Sequence, residues 1–536
     1  AAGQFYVVSK NSNMGVMALD GDGGFQGFIG AQRVASNAAQ LLWRAFMTEE
    51  QLARSVQFVP VEYSSLTIDH KGFVYVTCSS IDRFELYNTI HSRSMDSTYA
   101  PVKKINPAGT DVLRRNGFFP PAGDINFSPY DGDEAVGPSQ ISKVILLDNG
   151  MYMLLDSYGN KLFTYDSSGN LLFAFGGKGE ALGLFSRLSA AAAWGDELLA
   201  LDAETGAITV FRKTAYGTLL DEVIGYQENR EYDKAQGLWN ELLGENNNFD
   251  LAYLGVGKAL MEKGDLTGAM KYFELINNKL YYSKAYGLYR QEILQRWGLW
   301  ILLGVLILIL LAVWVFRKIA VHNQKTLASP AGGRLRDALL LGFYVIFHPF
   351  NGYWALKGEK RGGVRSATIL LALACLTQAI AAAASGFLSG DEEASVGSGV
   401  LNLLAPLLLW CIANTCFTSL MDGKGSFRDV YVAVGTSTLP VTLLVLPCTV
   451  VSHFLILEEL PILAMVTNVA YIWMAALIFF SMITVHDYTL GKNVLVSILT
   501  VLGMAFILFL LFIFVSLIGR MISLVSAVGT ELSLRT

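Results

Sequence analysis

Apolar and polar residues follow different patterns in the two halves of the chain. Up to about Trp297, apolar residues alternate with polar and charged ones at short intervals, as in water-soluble domains. From Leu299 to Phe316 every residue is apolar or glycine, and the run is long enough to cross about 30 Å of hydrocarbon. Further runs of similar character lie at 368–389, 400–421, 430–455, 462–484 and 493–518. The pattern predicts a multidomain chain that ends in an all-α polytopic membrane bundle of about six helices.

A shorter apolar stretch, Ala338–Phe350, lies between the first two predicted spans. It offers only about a dozen apolar residues, which is too few for a full crossing. The length predicts either an interfacial helix or a re-entrant one.

Strand–turn–strand units recur in the water-soluble half. Met151–Gly176 alternates apolar segments with turns of Gly, Asn, Asp and Ser. The pattern returns at Leu198–Phe211, Tyr6–Gly30 and Leu66–Val76. These units resemble the blades of NHL-type β-propellers, which have an Asp-containing turn and end in Phe-Gly. The resemblance implies an all-β propeller over 1–213. Because about four blades are visible and closed propellers contain four to eight, we expect further blades before Ala1.

After Thr214 the repeat length changes to that of a helical array. Ala235 and Ala269 are 34 residues apart, and so are Trp239 and Phe273. This spacing resembles a tetratricopeptide repeat, in which a small residue lets two helices approach and an aromatic fills the next groove. We therefore expect all-α repeats over 214–297. Their last helix runs into the first transmembrane helix, 298–318, as a stiff stalk.

Charge decides which way the predicted spans face. Only 16% of the residues are charged, below the quarter that is usual in soluble proteins. With the N-terminal half outside, the inner loops hold Arg317, Lys318, Lys325, Arg334, Arg336, Lys357, Lys360, Arg361, Arg365, Lys424, Arg428 and Lys492. The outer loops hold Asp391, Glu392, Glu393, Glu458 and Glu459. Because positive loops stay inside, we expect the N-terminal half and the C-terminus to be extracellular.

The region from about 335 to 520 resembles the Yip1 family of polytopic membrane proteins. Three features carry the resemblance: the segment His348–Trp354, the short loop Asp422–Arg428, and a following span that contains Pro440 and Pro447. The family implies a membrane domain of five spans that acts through partners. It supplies no catalytic residues to transfer to this chain.

Ionisable residues are nearly absent from the interiors of the predicted spans. A proton- or ion-coupled transporter usually places them at mid-membrane, so the pattern argues against independent active transport. His453 and His486 lie near span ends, where we expect an interfacial role. The other polar residues are best explained by helix–helix hydrogen bonds: Gln378, Asn402, Asn414 and Asn468.

Known catalytic and metal-binding motifs are missing from the sequence. There is no P-loop, no G-x-S-x-G elbow, no H-E-x-x-H and no calcium loop, and the soluble half contains only His70 and His91 as histidines. We therefore predict no catalytic, cofactor-binding or metal-binding residues. The net charge of −5, with no basic stripe, excludes nucleic acid as an expected partner. One alternative stays open, a surface propeller enzyme acting on sugars or lactones through acids such as Asp69, Asp82, Asp124, Asp156 and Asp202.

The propeller-like units and the tetratricopeptide-like repeats are both of a kind that binds other molecules, and the spans joined to them have no charged interiors. This combination favours a non-enzymatic accessory or scaffold subunit. The outer repeats would bind an extracellular solute-binding protein or a glycan, and the bundle would pack on transporter subunits in the lipid bilayer. The combination resembles companions of carbohydrate ABC importers in Gram-positive bacteria. That resemblance implies ABC permeases as partners and the plasma membrane as location.

Overall fold

The computed structural model describes residues 3–9, 15–30, 62–78, 80–128, 137–330, 334–390 and 395–535, with side chains as far as residue 523. The acidic loop residues Asp391, Glu392 and Glu393 lie outside the described residues. The chain forms two units, residues 1–278 and 279–536.

The first unit contains four small antiparallel sheets. The first sheet holds β1 (Phe5–Val7), β2 (Val16–Leu19) and β3 (Phe25–Ile29), and the second holds β4 (Tyr63–Ile68), β5 (Val74–Cys78) and β6 (Val102–Ile105). The third holds β7 (Ile141–Leu146), β8 (Tyr152–Asp156), β9 (Lys161–Tyr165) and β10 (Leu171–Gly176), and the fourth holds β11 (Leu188–Trp194), β12 (Glu197–Asp202) and β13 (Ile208–Arg212). The short helix α1 (Arg83–His91) follows β5.

Buried side chains join the sheets in chain order. Val16 of the first sheet packs with Val74 and Ile105 of the second. Tyr75 of the second packs with Tyr152 of the third, whose Leu155 packs with Leu198 of the fourth. Each junction buries one apolar face of a strand pair, which is the main source of stability in such sheets.

The outer faces of the first and last sheets are apolar and exposed. Phe5 and Phe25 of the first sheet are 57% and 59% exposed, and Trp194 and Ile208 of the fourth are 70% and 62% exposed. Among the described residues the four sheets do not close into a propeller ring. The prediction of strand-rich units is confirmed at the level of antiparallel sheets, and the closed propeller predicted over 1–213 is not seen.

Four helices follow the sheets: α2 (Ala215–Glu228), α3 (Tyr232–Glu245), α4 (Asp250–Glu262) and α5 (Leu266–Leu275). Each packs on the next, and the two aromatics that are 34 residues apart, Trp239 of α3 and Phe273 of α5, both pack on α4. A Cβ atom at Gly255 would lie 2.1 Å from Nε1 of Trp239, and one at Gly257 would lie 2.5 Å from Cε1 of Phe273. The missing side chains of two glycines therefore make room for both rings.

The second unit is helical throughout its described length. It contains α6 (Lys279–Ala328), α7 (Leu335–Phe347), α8 (Pro349–Lys357), α9 (Val364–Ala384), α10 (Val396–Leu420), α11 (Phe427–Ser437), α12 (Leu439–Val451), α13 (Leu460–His486) and α14 (Leu490–Arg535). Six segments are long and apolar enough to cross a membrane: Lys279–Ala328, Val364–Ala384, Val396–Leu420, Phe427–Phe454, Leu457–His486 and Leu490–Ser523. The prediction of a multi-pass membrane protein is confirmed.

The first of these helices, α6, runs for 50 residues without a break. From Leu299 to Phe316 all of its side chains except that of Ala312 are exposed. The ring of Phe316, at the end of this stretch, lies 5.9 Å from that of Phe343 on α7. Both ends of α6 contact the rest of the unit, as described below. The helix is therefore held at its ends and not along its apolar middle.

The short helices α7 and α8 form a hairpin among the longer ones. At 13 residues α7 is about 20 Å long, too short to cross, yet its Leu341 and Val345 are buried in the main cluster of the unit. A Cβ atom at Gly352 would lie 2.7 Å from Cγ2 of Val345, so glycine lets α8 fold back on α7. Of the two alternatives for Ala338–Phe350, this burial favours the re-entrant one.

One predicted span is divided near its middle. α11 ends at Ser437 and α12 begins at Leu439, with Pro440 in its first turn. Proline lacks the N–H that would continue the hydrogen-bond ladder, which accounts for the break. Tyr353 of α8 reaches this point, where its hydroxyl lies 2.6 Å from Oγ of Ser437 in a buried hydrogen bond.

Candidate functional site

The helices of the second unit meet in polar contacts at both ends. Loops 385–390 and 452–459 lie at one end, which we call the acidic end. Loops 358–363, 421–426 and 487–489 lie at the other, which we call the basic end. Between the ends, the described spans contain no Asp, Glu, Lys or Arg within their apolar segments. Any chemistry that needs a charged group is therefore confined to the two ends.

At the acidic end, the first part of α6 is tied to both loops. The Arg290 guanidinium donates to both carboxylate oxygens of Glu459 at 2.6 and 2.9 Å, and to the Phe454 carbonyl at 2.9 Å. Ser283 accepts from the Leu457 N–H at 2.9 Å. A two-bond Arg–carboxylate pair fixes orientation as well as distance, so α6 has one defined position on these loops.

Reversing the charge of Arg290 tests this contact. We expect Arg290→Glu to lower the free energy of unfolding of the second unit by about 1–2 kcal/mol, because two carboxylates then face each other at a half-buried site. Arg290→Glu combined with Glu459→Arg is expected to restore most of the loss. The measurement is thermal unfolding of the full chain in mild detergent.

The matched control is Lys424→Glu, since the Lys424–Asp487 pair spans 2.6 Å but both side chains are 70% exposed. Exposed pairs contribute little, so we expect a change below about 0.5 kcal/mol. Equal destabilisation by the single and the double reversal would show that the Arg290–Glu459 pair is not what holds α6.

At the basic end, a glycine-containing loop, Asp422–Ser426, packs on a buried histidine. His486 is 1% exposed, and its Nε2 lies 3.2 Å from Oδ1 of Asn414. The Gly425 N–H lies 3.3 Å from Nδ1 of the same ring. Cβ atoms at Gly423 and Gly425 would lie 2.7 and 2.9 Å from ring atoms of His486, so both glycines are required for this approach.

The sequence pattern missed the burial of His486, which we expected at an interface. The available signal was the pair of glycines in the loop, because closely spaced glycines often mark a close approach of backbone to another group.

Asn414 continues the network by donating to Oγ1 of Thr500 on α14 at 3.2 Å. This bond is a helix–helix hydrogen bond of the kind predicted for Asn414, whereas Asn402 and Asn468 are exposed. His453 has its Nδ1 atom 3.1 Å from the Thr449 carbonyl of its own turn.

In the first unit, the aspartates at strand turns repeat two hydrogen-bond patterns. Asp20, Asp69 and Asp166 each accept N–H bonds from the residues two and four positions later, at 2.6–3.1 Å. Asp156 and Asp202 each accept one N–H bond from 16 residues earlier and one from two residues later. Identical bonds at equivalent positions identify these carboxylates as turn-forming groups.

Two of the turn aspartates, Asp202 and Asp166, have pKa values shifted in opposite directions, but they do not form an acid–base pair. Burial opposes ionisation of Asp202, but several backbone N–H donors outweigh it and hold its pKa below the usual carboxyl value. At Asp166 burial dominates and raises the pKa, despite hydrogen bonds from Asn170. A glycosidase-type mechanism needs two carboxyl groups that flank one bond, whereas these lie in turns of different sheets.

The remaining candidate acids and histidines have separate structural surroundings. Asp82 caps α1 by accepting from the N–H groups of Phe84 and Glu85, and Asp124 pairs with Lys161 at 2.6 Å. His70 is exposed, and His91 stacks on Tyr87. Within the part of the chain that the structure describes, no three His, Cys, Asp or Glu residues are grouped so as to hold a metal ion.

A cleft of about 260 Å³ lies in the first unit beside the third sheet. Its polar lining comes from Arg83, Ser139, Gln140 and Tyr158, and the described lining contains no carboxylate. The five acids named from the sequence therefore do not converge on it.

Comparison with known families identifies the helical region. The family model of the Yip1 domain matches residues 343–521, about a third of the chain. The match runs from within α7 into α14 and includes α8, the divided span and the glycine-containing loop. The predicted resemblance to the Yip1 family is confirmed over residues 343–521. No curated protein matches the sequence.

Proposed function

We propose that this chain is a non-enzymatic, membrane-anchored accessory subunit. Its outer repeats bind a protein or a glycan, and its helical bundle packs on a transporter, a carbohydrate ABC importer. One observation carries the proposal: the apolar segments of the described spans hold no Asp, Glu, Lys or Arg, and the polar groups at their ends bond to one another. A bundle of this kind acts through packing and partners, and an importer would supply the ATPase and the pore.

We infer that the four sheets belong to an NHL-type propeller within 1–213. The face-to-face packing in chain order and the repeated aspartate turns support this inference. So do the apolar outer faces of the first and last sheets, because neighbouring blades cover such faces in a closed propeller. A propeller presents loops on a broad surface, which suits recognition of a protein or a glycan.

We infer that the helices within 214–297 form tetratricopeptide-like repeats. Two aromatics at a spacing of 34 residues, Trp239 and Phe273, pack on Gly255 and Gly257 of the helix between them, and this packing supports the inference. Stacked helix pairs of this kind create extended binding surfaces for proteins. A solute-binding protein that docks on the outer repeats is the partner that fits an importer.

The membrane part of the proposal assigns 298–318 to a first transmembrane helix and 335–520 to a Yip1-like domain of five spans. The basic end faces the cytoplasm and the N-terminal half is extracellular, because loops rich in Lys and Arg stay inside. We place the chain in the plasma membrane of a Gram-positive bacterium, which has no outer membrane. This location fits a carbohydrate ABC importer.

Native purification tests the proposal. The full chain with a C-terminal tag is extracted from its own membrane in mild detergent, and the co-purifying proteins are identified and quantified by mass spectrometry. We expect permease subunits and an ATPase in stoichiometric amounts, with a solute-binding protein retained after cross-linking. An unrelated tagged multi-pass protein from the same membrane is the control. A chain that purifies alone, or with the same background as the control, contradicts the proposal.

A further inference from the structure

The basic end of α6 is fixed to the helical hairpin by several polar contacts. Arg361 donates to the carbonyls of Thr326 and Ser329 at 2.6 and 2.7 Å, where it caps the end of α6. Asn323 donates to the Leu340 carbonyl at 2.8 Å. These bonds hold the last turns of α6 against α7 and against the loop that follows α8, whereas its apolar middle stays exposed.

A cavity of about 440 Å³ opens between α6 and α7 at this end. Its walls are apolar, and they come from Ile319 of α6 and from Leu335, Leu339 and Leu340 of α7. Two cations, Lys318 from α6 and Arg336 from α7, line the same cavity. Its size lies within the range of sites that enclose small ligands.

The two cations make the lining of this cavity positive, because the described lining residues include no carboxylate. Asp337, next to Arg336 in the chain, has its Oδ1 atom 3.0 Å from Nε2 of His322, which also lines the cavity. Among the described residues neither Lys318 nor Arg336 has a carboxylate within ion-pair distance; Lys318 lies 5.6 Å from the ring centroid of Trp314. Two unpaired cations above an apolar wall match a ligand with an anionic head and an apolar body.

We propose that this cavity binds an anionic phospholipid from the surrounding leaflet. Its phosphate lies between Lys318 and Arg336, and its acyl chains lie along the exposed side of α6 below them. Arg favours phosphate because its guanidinium can donate two parallel hydrogen bonds, and Lys adds a compact positive charge. The lipid fills the space beside the apolar middle of α6 that no other helix of the unit covers. The site is independent of the proposed transporter partner.

Lipid binding by the full chain in mild detergent tests the proposal. Native mass spectrometry measures retention of added phosphatidylglycerol, with phosphatidylcholine as the zwitterionic comparison. We expect phosphatidylglycerol to be retained in preference to phosphatidylcholine. The double substitution Lys318→Gln with Arg336→Gln should weaken this retention at least about tenfold, since each cation near an anionic lipid contributes measurably.

The matched control removes the same charge from the same end without touching the cavity: Arg365→Gln with Arg428→Gln, two exposed residues. We expect this control to retain phosphatidylglycerol like the unmodified chain. Equal loss in both double variants would overturn the proposal in favour of general surface charge. Equal retention of the two lipids would also overturn it. Displacement of phosphatidylglycerol by millimolar inorganic phosphate alone would overturn it too, because the site would then bind the free anion and not the lipid.

A second variant tests the same cavity without removing its charges, so that misfolding of the Lys318→Gln, Arg336→Gln chain cannot account for the result. Leu339→Trp keeps both cations and fills the cavity from its apolar side. We expect it to lose phosphatidylglycerol while size-exclusion behaviour and helical circular dichroism stay unchanged. Retention at the level of the unmodified chain would show that the lipid lies elsewhere.

Discussion

Replacing Trp239 by alanine is expected to destabilise the helical part of the first unit by about 3–5 kcal/mol. Trp239 is fully buried and is the largest such side chain in the described structure. Its ring packs against Gly255, which has no side chain that could move into the space. The substitution therefore loses the transfer free energy of an indole and leaves a cavity that the neighbouring helix cannot fill.

Limited proteolysis and thermal unfolding of the full chain measure the effect, with cleavage sites mapped by mass spectrometry. We expect new cleavages between residues 214 and 278. Trp194→Ala is the matched control, because Trp194 is 70% exposed and its removal should change stability by less than about 0.5 kcal/mol. Similar losses from the two substitutions would contradict the packing of α3 on α4 described above.

Replacing Gly435 by valine is expected to disrupt the membrane bundle, at a cost of about 3 kcal/mol or more. Gly435 lies where α11 crosses α9. A Cβ atom there would lie 2.8 Å from the carbonyl oxygen of Ala367 and 2.9 Å from its Cβ. The obstructing atoms include backbone, so two helices must separate to admit any side chain.

Monodispersity and thermal stability in detergent measure this effect. Gly304→Val is the matched control, because Gly304 lies in the apolar middle of α6 with no atom within 4 Å of its Cβ position. We expect Gly304→Val to behave like the unmodified chain. A Gly435→Val chain that stays monodisperse with an unchanged melting temperature would show that α9 and α11 do not pack this closely.

Local patterns were sufficient for the individual elements. The apolar run Leu299–Phe316 predicted a spanning helix because its length matches the bilayer, and α6 contains it. The turn residues around Asp156 and Asp202 predicted strand pairs, since Asp bonds to backbone N–H groups within its own turn. The division of the span at Pro440 is a finding of the structure, since the sequence pattern predicted one continuous span over 430–455.

Contacts between distant residues could not be predicted in this way. His486 looked like an interfacial residue by its position, yet it is buried because Gly423 and Gly425 lie against it, about 60 positions away. Lys318 and Arg336 looked like ordinary positive loop residues until their helices were placed side by side. Asp124 looked like a candidate acid, and the structure pairs it with Lys161.

The sequence by itself determined the membrane character of the second half, the Yip1-like region and the sheet-forming and helix-forming stretches of the first half. These properties depend on residues close together in the chain. Only the tertiary structure decided that the described sheets do not close into a ring, that none of the candidate acids is among the described residues lining the cleft beside the third sheet, and that α6 is held at its ends with a basic cavity beside it. Those properties depend on which faces meet across long stretches of chain, and such meetings are set by the packing of the whole unit.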